Sequence, residues 1–326
     1  MQENKSFTRL TSLLAVLGLC VLILFSVVSA SLTESSPSAK HTQAISLFPF
    51  TSVDTSLFIS PIPTPKSAKP LPPEPEVLAE SYVVQLIGDK NPLLERGSTK
   101  QMRPASLTKI LTSTIALEEL EANSPVVFSS FAKATGEKES PVPEGESFVR
   151  NDAIRFAMIE SANDAAVALA EAVGRKRGAF SFDDALSLFV QAANQKAKSI
   201  GMASSHFENP TGLDNDDHYT TAQDLFLLVS YIWDRHPEIW EFSRSIDADI
   251  TSMGAVAYHI EATNQLLSEF PALLGGKTGL TDLAKGALIL LYPVRPDRTA
   301  VIVILGSDDR FGDGRALIHW LESAFN

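Results

Sequence analysis

The chain reads as an α+β protein: an antiparallel sheet completed from both ends of the folded region, with flanking helices and an inserted helical lobe. Three observations lead there. β-branched and apolar runs occupy the two ends, at residues 82–87, 283–292 and 299–306. Between them, apolar residues recur at helical rather than alternating spacing. A Ser/Thr/Pro-rich stretch separates all of this from the N-terminus.

The first element is a targeting segment. Lys5 and Arg9 precede an uncharged, mostly apolar run over residues 10–30, long enough to span a bilayer as a helix. Basic residues ahead of the run keep the N-terminus cytoplasmic and send the rest across. Two readings stand. The run is a retained single-pass anchor, which its length favours, or a signal peptide cleaved after Val28-Ser29-Ala30, which leaves a secreted protein. Residues 31–78 form a Pro/Ser/Thr-rich linker. Pro61-Ile62-Pro63-Thr64-Pro65 and Pro70-Leu71-Pro72-Pro73-Glu74-Pro75 are extended spacers that build no core. They read as a stalk that holds a domain over residues 79–326 off the membrane.

That domain opens with a strand at 82–87. Gly88-Asp89-Lys90-Asn91-Pro92 turns the chain, and 93–96 pairs back. Pro104 and Ser106 open a helix whose buried face carries Leu107, Ile110, Leu111, Ile115 and Leu120. Two short helices follow, at 152–159 and 164–173, with Ser161-Ala162-Asn163 at their junction and Gly174 as a stop. Ser181 with Asp184 reads as a capping pair, and the helix at 183–200 ends at Gly201. Residues 221–234 make another helix. The runs at 283–292 and 299–306 form a hairpin, and a helix over 314–325 closes the chain.

Composition excludes several classes. The net charge of −12 argues against a nucleic-acid partner. The single cysteine, Cys20, lies in the apolar run, so the domain has no disulfide, no thiol nucleophile and no cysteine zinc site. Leu19 before it speaks against a lipoprotein. The six histidines show no H-x-x-x-H spacing. His206 and His218 flank one polar loop and read as solvated. No metal and no cofactor is expected.

Three short motifs follow one another: Ser106-Leu107-Thr108-Lys109, Ser161-Ala162-Asn163 and Lys277-Thr278-Gly279. Each alone is weak; a second S-x-x-K, Ser130-Phe131-Ala132-Lys133, reads as an accident in a loop. Together and in this order they match the motif set of penicillin-binding proteins and class A β-lactamases. A serine hydroxyl needs a base to become a nucleophile. Ser106 and Lys109 lie three apart, so on a helix their side chains share a face. Lys109 must be neutral to act, which burial or a neighbouring cation achieves. Lys277 is that cation if its strand lies beside the helix.

The wider text resembles serine D-alanyl-D-alanine carboxypeptidases, the low-molecular-weight penicillin-binding proteins. Pro104-Ala105-Ser106-Leu107-Thr108-Lys109-Ile110-Leu111-Thr112 is similar to their nucleophile segment, and Glu160-Ser161-Ala162-Asn163-Asp164 to their second motif. Phe207-Glu208-Asn209-Pro210-Thr211-Gly212-Leu213 looks like the loop before the next helix, and Gly276-Lys277-Thr278-Gly279-Leu280-Thr281-Asp282 like the third motif. The likeness runs from about Ser81 to the C-terminus. It departs at Ala284-Lys285-Gly286, where the family has a small, glycine-rich step.

The resemblance implies a β-lactamase/transpeptidase-like fold and a hydrolase of the cell wall. Ser106 would form an acyl-enzyme on peptidoglycan stem peptides ending in D-Ala-D-Ala, with Lys109 as base. Ser161 and Lys277 would relay the proton. Asn163 would bind the substrate amide and hold Lys109. The amides of Ser106 and Leu280 would form an oxyanion hole. Gly279 would let substrate approach, and Thr278, Thr281 and Arg310 would meet the terminal carboxylate. β-Lactams would trap the same serine. D,D-endopeptidase or transpeptidase chemistry shares every motif. A β-lactamase lacks support, since no E-x-x-L-N element lies between Asn163 and Lys277. A wall-binding scaffold would predict a damaged motif, and none is damaged.

Overall fold

The structure, a computed structural model, describes residues 71–325. The run at 10–30 with Cys20, and the linker up to residue 70, lie outside the described residues.

Five antiparallel strands form the central sheet in the order β2-β1-β9-β8-β7. They are β1 (Ser81–Leu86), β2 (Leu94–Arg96), β7 (Gly275–Thr281), β8 (Lys285–Arg295) and β9 (Arg298–Ser307). Strands from the two chain ends meet where β1 pairs with β9, Val83 opposite Val303. All six residues of β1 are buried, as are the middles of β8 and β9. A sheet covered on both faces explains continuous apolar runs in place of alternation. Val83, Ile289, Val301 and Val303 join the core of the helical lobe. Tyr82, Val84, Leu288, Leu290, Ile302 and Ile304 join a second core with the C-terminal helix.

The helices are α1 (Thr108–Glu119), α2 (Ser130–Lys133), α3 (Arg150–Arg155), α4 (Asn163–Lys176), α5 (Phe182–Ile200), α6 (Ala222–Arg235), α7 (Glu238–Ser243), α8 (Leu266–Glu269) and α9 (Arg310–Phe325). Helix α1 is central: every residue from Thr108 to Leu117 is buried. Two of its buried hydroxyls are satisfied, Thr114 by the Ile110 carbonyl and Thr112 by the Pro210 carbonyl, each at 2.8 Å, whereas Ser113 Oγ has no partner. The Ser181/Asp184 capping box starts α5, and Gly201, at φ +98°, ends it.

Four expectations change. Gly174 does not stop α4; it lies inside the helix, where a Cβ would overlap the backbone of Ala185 in α5, so the glycine lets the two helices touch. Ser130–Lys133 is not loop but the short helix α2, capped by Ser129. Residues 71–78 lie against the domain, with Val77 buried and the Leu78 amide 2.7 Å from Asp313 Oδ1. Two ribbons were not foreseen: β3 (Pro125–Val127) with β4 (Ser147–Val149), and β5 (Asp247–Thr251) with β6 (Ala257–Glu261). Each of these strands buries a single residue, too few to set a period.

Candidate active site

Ser106 sits in a 3-10 turn, Ala105–Leu107, that leads directly into α1. One turn later Lys109 Nζ lies 2.8 Å from Ser106 Oγ. The turn is strained: Ala105 has φ +49°. Gly212, at φ +86°, packs on it, and a Cβ there would overlap the Ala105 carbonyl. Lys109 is fully buried and also reaches the Thr211 carbonyl at 2.9 Å. Burial, and after it the charge of Lys138, lowers its pKa to about 7 against the opposing charge of Asp164. A substantial neutral fraction is therefore present at neutral pH.

The second serine is posed by an unusual bend. A π-helical turn, Phe156–Glu160, runs from α3 into Ser161, which adopts the left-handed conformation at φ +66°. Lys277 Nζ, from β7, lies 2.7 Å from Ser161 Oγ and 2.9 Å from the Thr278 carbonyl. Burial pushes the Lys277 pKa well down, and the charge of Lys109 adds to it. Two amines in one dry site do not both stay charged. Burial, one of the two expected causes, comes first in lowering Lys109; the cation that adds to it is Lys138, on a loop the sequence did not single out, rather than Lys277.

Asn163 opens α4. Its Nδ2 donates to the Glu137 carbonyl at 2.7 Å and its amide to the Lys138 carbonyl at 3.0 Å. It fixes that loop, and the Thr211 carbonyl takes the place expected of it in holding Lys109. Asp164, fully buried, pins the same loop: it accepts from Lys133 Nζ and Ser140 Oγ, each at 2.7 Å. The lysine of the second S-x-x-K therefore pairs with a carboxylate, not with Ser130. Lys138 has φ +46°. Desolvation lowers its pKa first; Glu160 opposes this and Arg310 reinforces it.

The opposite wall is the edge of β7. A Cβ on Gly279 would stand 3.0 Å from Ala105 Cβ and 3.1 Å from the Ser106 amide, so glycine permits this approach of strand to nucleophile. Thr278 Oγ1 meets Thr263 Oγ1 at 2.6 Å. Leu280 projects outward. Thr281 is turned away: its hydroxyl donates to Asp214 Oδ1 at 2.8 Å. Arg310 begins α9 with its guanidinium 4.6 Å from the Phe311 ring, and its charge lowers the pKa of Lys277 and Lys138. Gly286 makes room for it, since a Cβ there would lie 3.0 Å from Arg310 Cβ. The glycine of the Ala284-Lys285-Gly286 step thus keeps the packing that the preceding residues do not supply.

His218 corrects a further expectation. It is buried, not solvated, and its Nε2 lies 2.9 Å from Thr108 Oγ1. The Glu208 amide donates to Nδ1 at 3.3 Å, which assigns the ring proton to Nε2. Thr108 Oγ1 in turn donates to the Ala105 carbonyl at 3.0 Å. This chain braces the strained turn from behind. Burial lowers the His218 pKa to about 4, so the ring is neutral.

The site thus holds two serine–lysine pairs with both amines buried, flanked by a strand edge able to take a peptide and by an arginine. Comparison with known proteins agrees with this architecture. Residues 67–309 match the family described as D-alanyl-D-alanine carboxypeptidase. The chain is 26% identical over 239 residues to D-alanyl-D-alanine carboxypeptidase DacF of Bacillus subtilis, covering 72% of this chain and 59% of that one. It is 26% identical to a D-alanyl-D-alanine endopeptidase of Pseudomonas aeruginosa, covering 84% of this chain and 86% of the relative. The crystal structure of the Streptomyces K15 DD-transpeptidase superposes with a TM-score of 0.70 at 20% identity, over 76% of this chain and 98% of that one, which establishes the β-lactamase/transpeptidase-like fold. With the family matched across most of the described residues and its three motifs brought into contact, the chain belongs to the D-alanyl-D-alanine carboxypeptidase family.

Proposed function

We propose that the protein is a serine-type D-Ala-D-Ala carboxypeptidase that trims peptidoglycan stem peptides during cell-wall synthesis. The observation that carries this reading is the pair of hydrogen bonds, Lys109–Ser106 at 2.8 Å and Lys277–Ser161 at 2.7 Å, both made by buried amines. Ser106 Oγ attacks the carbonyl between the two D-alanines as its proton passes to neutral Lys109 Nζ. The Ser106 and Leu280 amides receive the oxyanion, worth about 3 kcal/mol each. Ser161, backed by Lys277, delivers a proton to the departing amine. Asn163 binds the acyl-side amide, Gly279 admits the peptide to the β7 edge, and Thr278 with Arg310 meets the terminal carboxylate. Thr281 acts through Asp214, as a brace of the loop. Water then frees the acyl-enzyme with Lys109 as base. β-Lactams acylate the same serine.

Endopeptidase action is the second reading, favoured by the name of the Pseudomonas relative. Product analysis of muropeptides separates the two. The carboxypeptidase reading expects each pentapeptide stem to lose one D-alanine; conversion of cross-linked dimers to monomers with no such loss would replace it.

The domain works outside the cytoplasm, tethered through residues 10–30. No helix among the described residues is long and apolar enough to cross a membrane, so tethering rests on that run. Fractionation should find the full chain in membranes. A mature chain that begins at Ser31 would mean a cleaved signal and a secreted enzyme.

A further inference from the structure

The β3–β4 ribbon has one covered edge and one bare edge. The Phe128 amide donates to the Glu146 carbonyl at 2.9 Å, and Val126 stands opposite Phe148, so Phe128 and Val126 bond across the ladder. Val127 and Pro125 fall on the alternate positions, opposite Ser147 and Val149, and turn their backbone groups outward. On β4 the outward Ser147 carbonyl accepts from the Met253 amide at 2.8 Å. On β3 the Val127 amide and the Pro125 carbonyl meet no such partner among the described residues.

An open groove of about 560 Å³ runs beside this bare edge. Ala168, Glu171, Ala172 and Arg175, on one face of α4, form its other wall. The two ends differ in charge. At one end Glu171 accepts from Ser129 Oγ at 2.6 Å. At the other stand Arg175 and Lys176, with Lys176 3.8 Å from Glu121. Val127, 45% exposed, and Phe131, 57% exposed, add apolar surface. An unpaired strand edge with exposed apolar side chains is a template for another chain.

The pattern of backbone groups identifies that chain. We propose that β3 pairs with β3 of a second copy of this protein, antiparallel about a twofold axis at Val126, so that two ribbons join into one four-stranded sheet. Val127 of each copy then stands opposite Pro125 of the other, and the Val127 amide donates to the Pro125 carbonyl on both sides of the axis. A full bonded pair would also need a donor at Pro125 and a free acceptor at Val127. Proline has no N–H, and the Val127 carbonyl already accepts from the Ser129 amide at 3.0 Å. The group missing at one position is the group not needed at the other. An ordinary strand would bring an N–H to the occupied carbonyl; Pro125 brings none. The same axis lays the Ser129 end of each groove against the Ser124 end of the other, which sets Glu171 toward the second copy's Arg175 and Lys176.

The test uses the full chain in detergent, with Cys20→Ser as background so that only an introduced thiol reacts. In the paired register the two copies of residue 127 lie about 8 Å apart between Cα atoms. Val127→Cys should therefore join two chains through a short bis-maleimide. Asp297→Cys, exposed in the turn between β8 and β9, should not. Sedimentation at micromolar concentration should give two chains per particle for the unsubstituted protein and one for Val127→Lys, because a lysine on the edge blocks pairing. Labelling by penicillin should persist in each variant and report an intact fold. A monomeric unsubstituted chain would leave the edge to a different protein and overturn the proposal. So would a Val127→Lys chain that stays dimeric, or cross-linking at residue 297 as efficient as at 127.

Discussion

Whether Ser106 reacts is decided by the proton on Lys109. With its pKa at about 7, the lysine accepts a proton only when neutral. Acylation by penicillin should therefore rise about tenfold per pH unit up to pH 7 and level off above it. Stopped-flow acylation rates across that range check the slope, and a rate flat from pH 5 to pH 8 would remove Lys109 as base. Lys109→Ala should slow acylation by about 10²–10⁴-fold. Lys277→Ala should also slow it, through loss of the relay to Ser161, while leaving the acid limb in place. The Ser106–Lys109 pair was legible because one helical turn sets it. The Ser161–Lys277 contact spans 116 positions and was legible only through the motif set. The Thr211 carbonyl and Lys138 were not, since a backbone oxygen and an isolated loop lysine carry no pattern.

At the scale of elements, glycines decide how closely the parts approach. Gly212→Ala places a methyl on the Ala105 carbonyl and forces a side chain to φ +86°. It should lower stability by about 2 kcal/mol or more and reduce penicillin acylation, measured by chemical denaturation and by labelling. Gly174→Ala should cost about 1–3 kcal/mol by parting α4 from α5, with the acylation rate of the folded fraction retained. His218 sets a pH dependence of stability. Its folded pKa, about 4, lies below its unfolded value, so the unfolded chain binds the proton more tightly. Stability should fall as pH drops from about 6.5 to 4, by at most about 1.4 kcal/mol per unit, and His218→Gln should flatten that limb. Apart from the two ribbons, the long elements were visible in their periods and caps. Glycine's role inside α4 was not, because a helix stop and a helix contact look alike until the partner helix is placed.

For the whole molecule, the folded body starts earlier than its first strand. Trp320 Nε1 donates to the Pro72 carbonyl at 3.2 Å, and Arg96 Nη1 to the Val77 carbonyl at 2.7 Å. Proline-rich text suggested only a spacer, because its partners, from Arg96 nearby to Trp320 at 248 positions, leave no periodic pattern in it. A protein starting at Ser81 should be less stable than one starting at Ala68 by about 2 kcal/mol, read from denaturation midpoints. The same body carries the central claim, that one serine among several is the nucleophile. The direct test is to label the full chain with benzylpenicillin, digest it and map the adduct by mass spectrometry. The account predicts a single penicilloyl group on Ser106, absent in folded Ser106→Ala. An adduct on Ser130, or none on a folded chain, would contradict it.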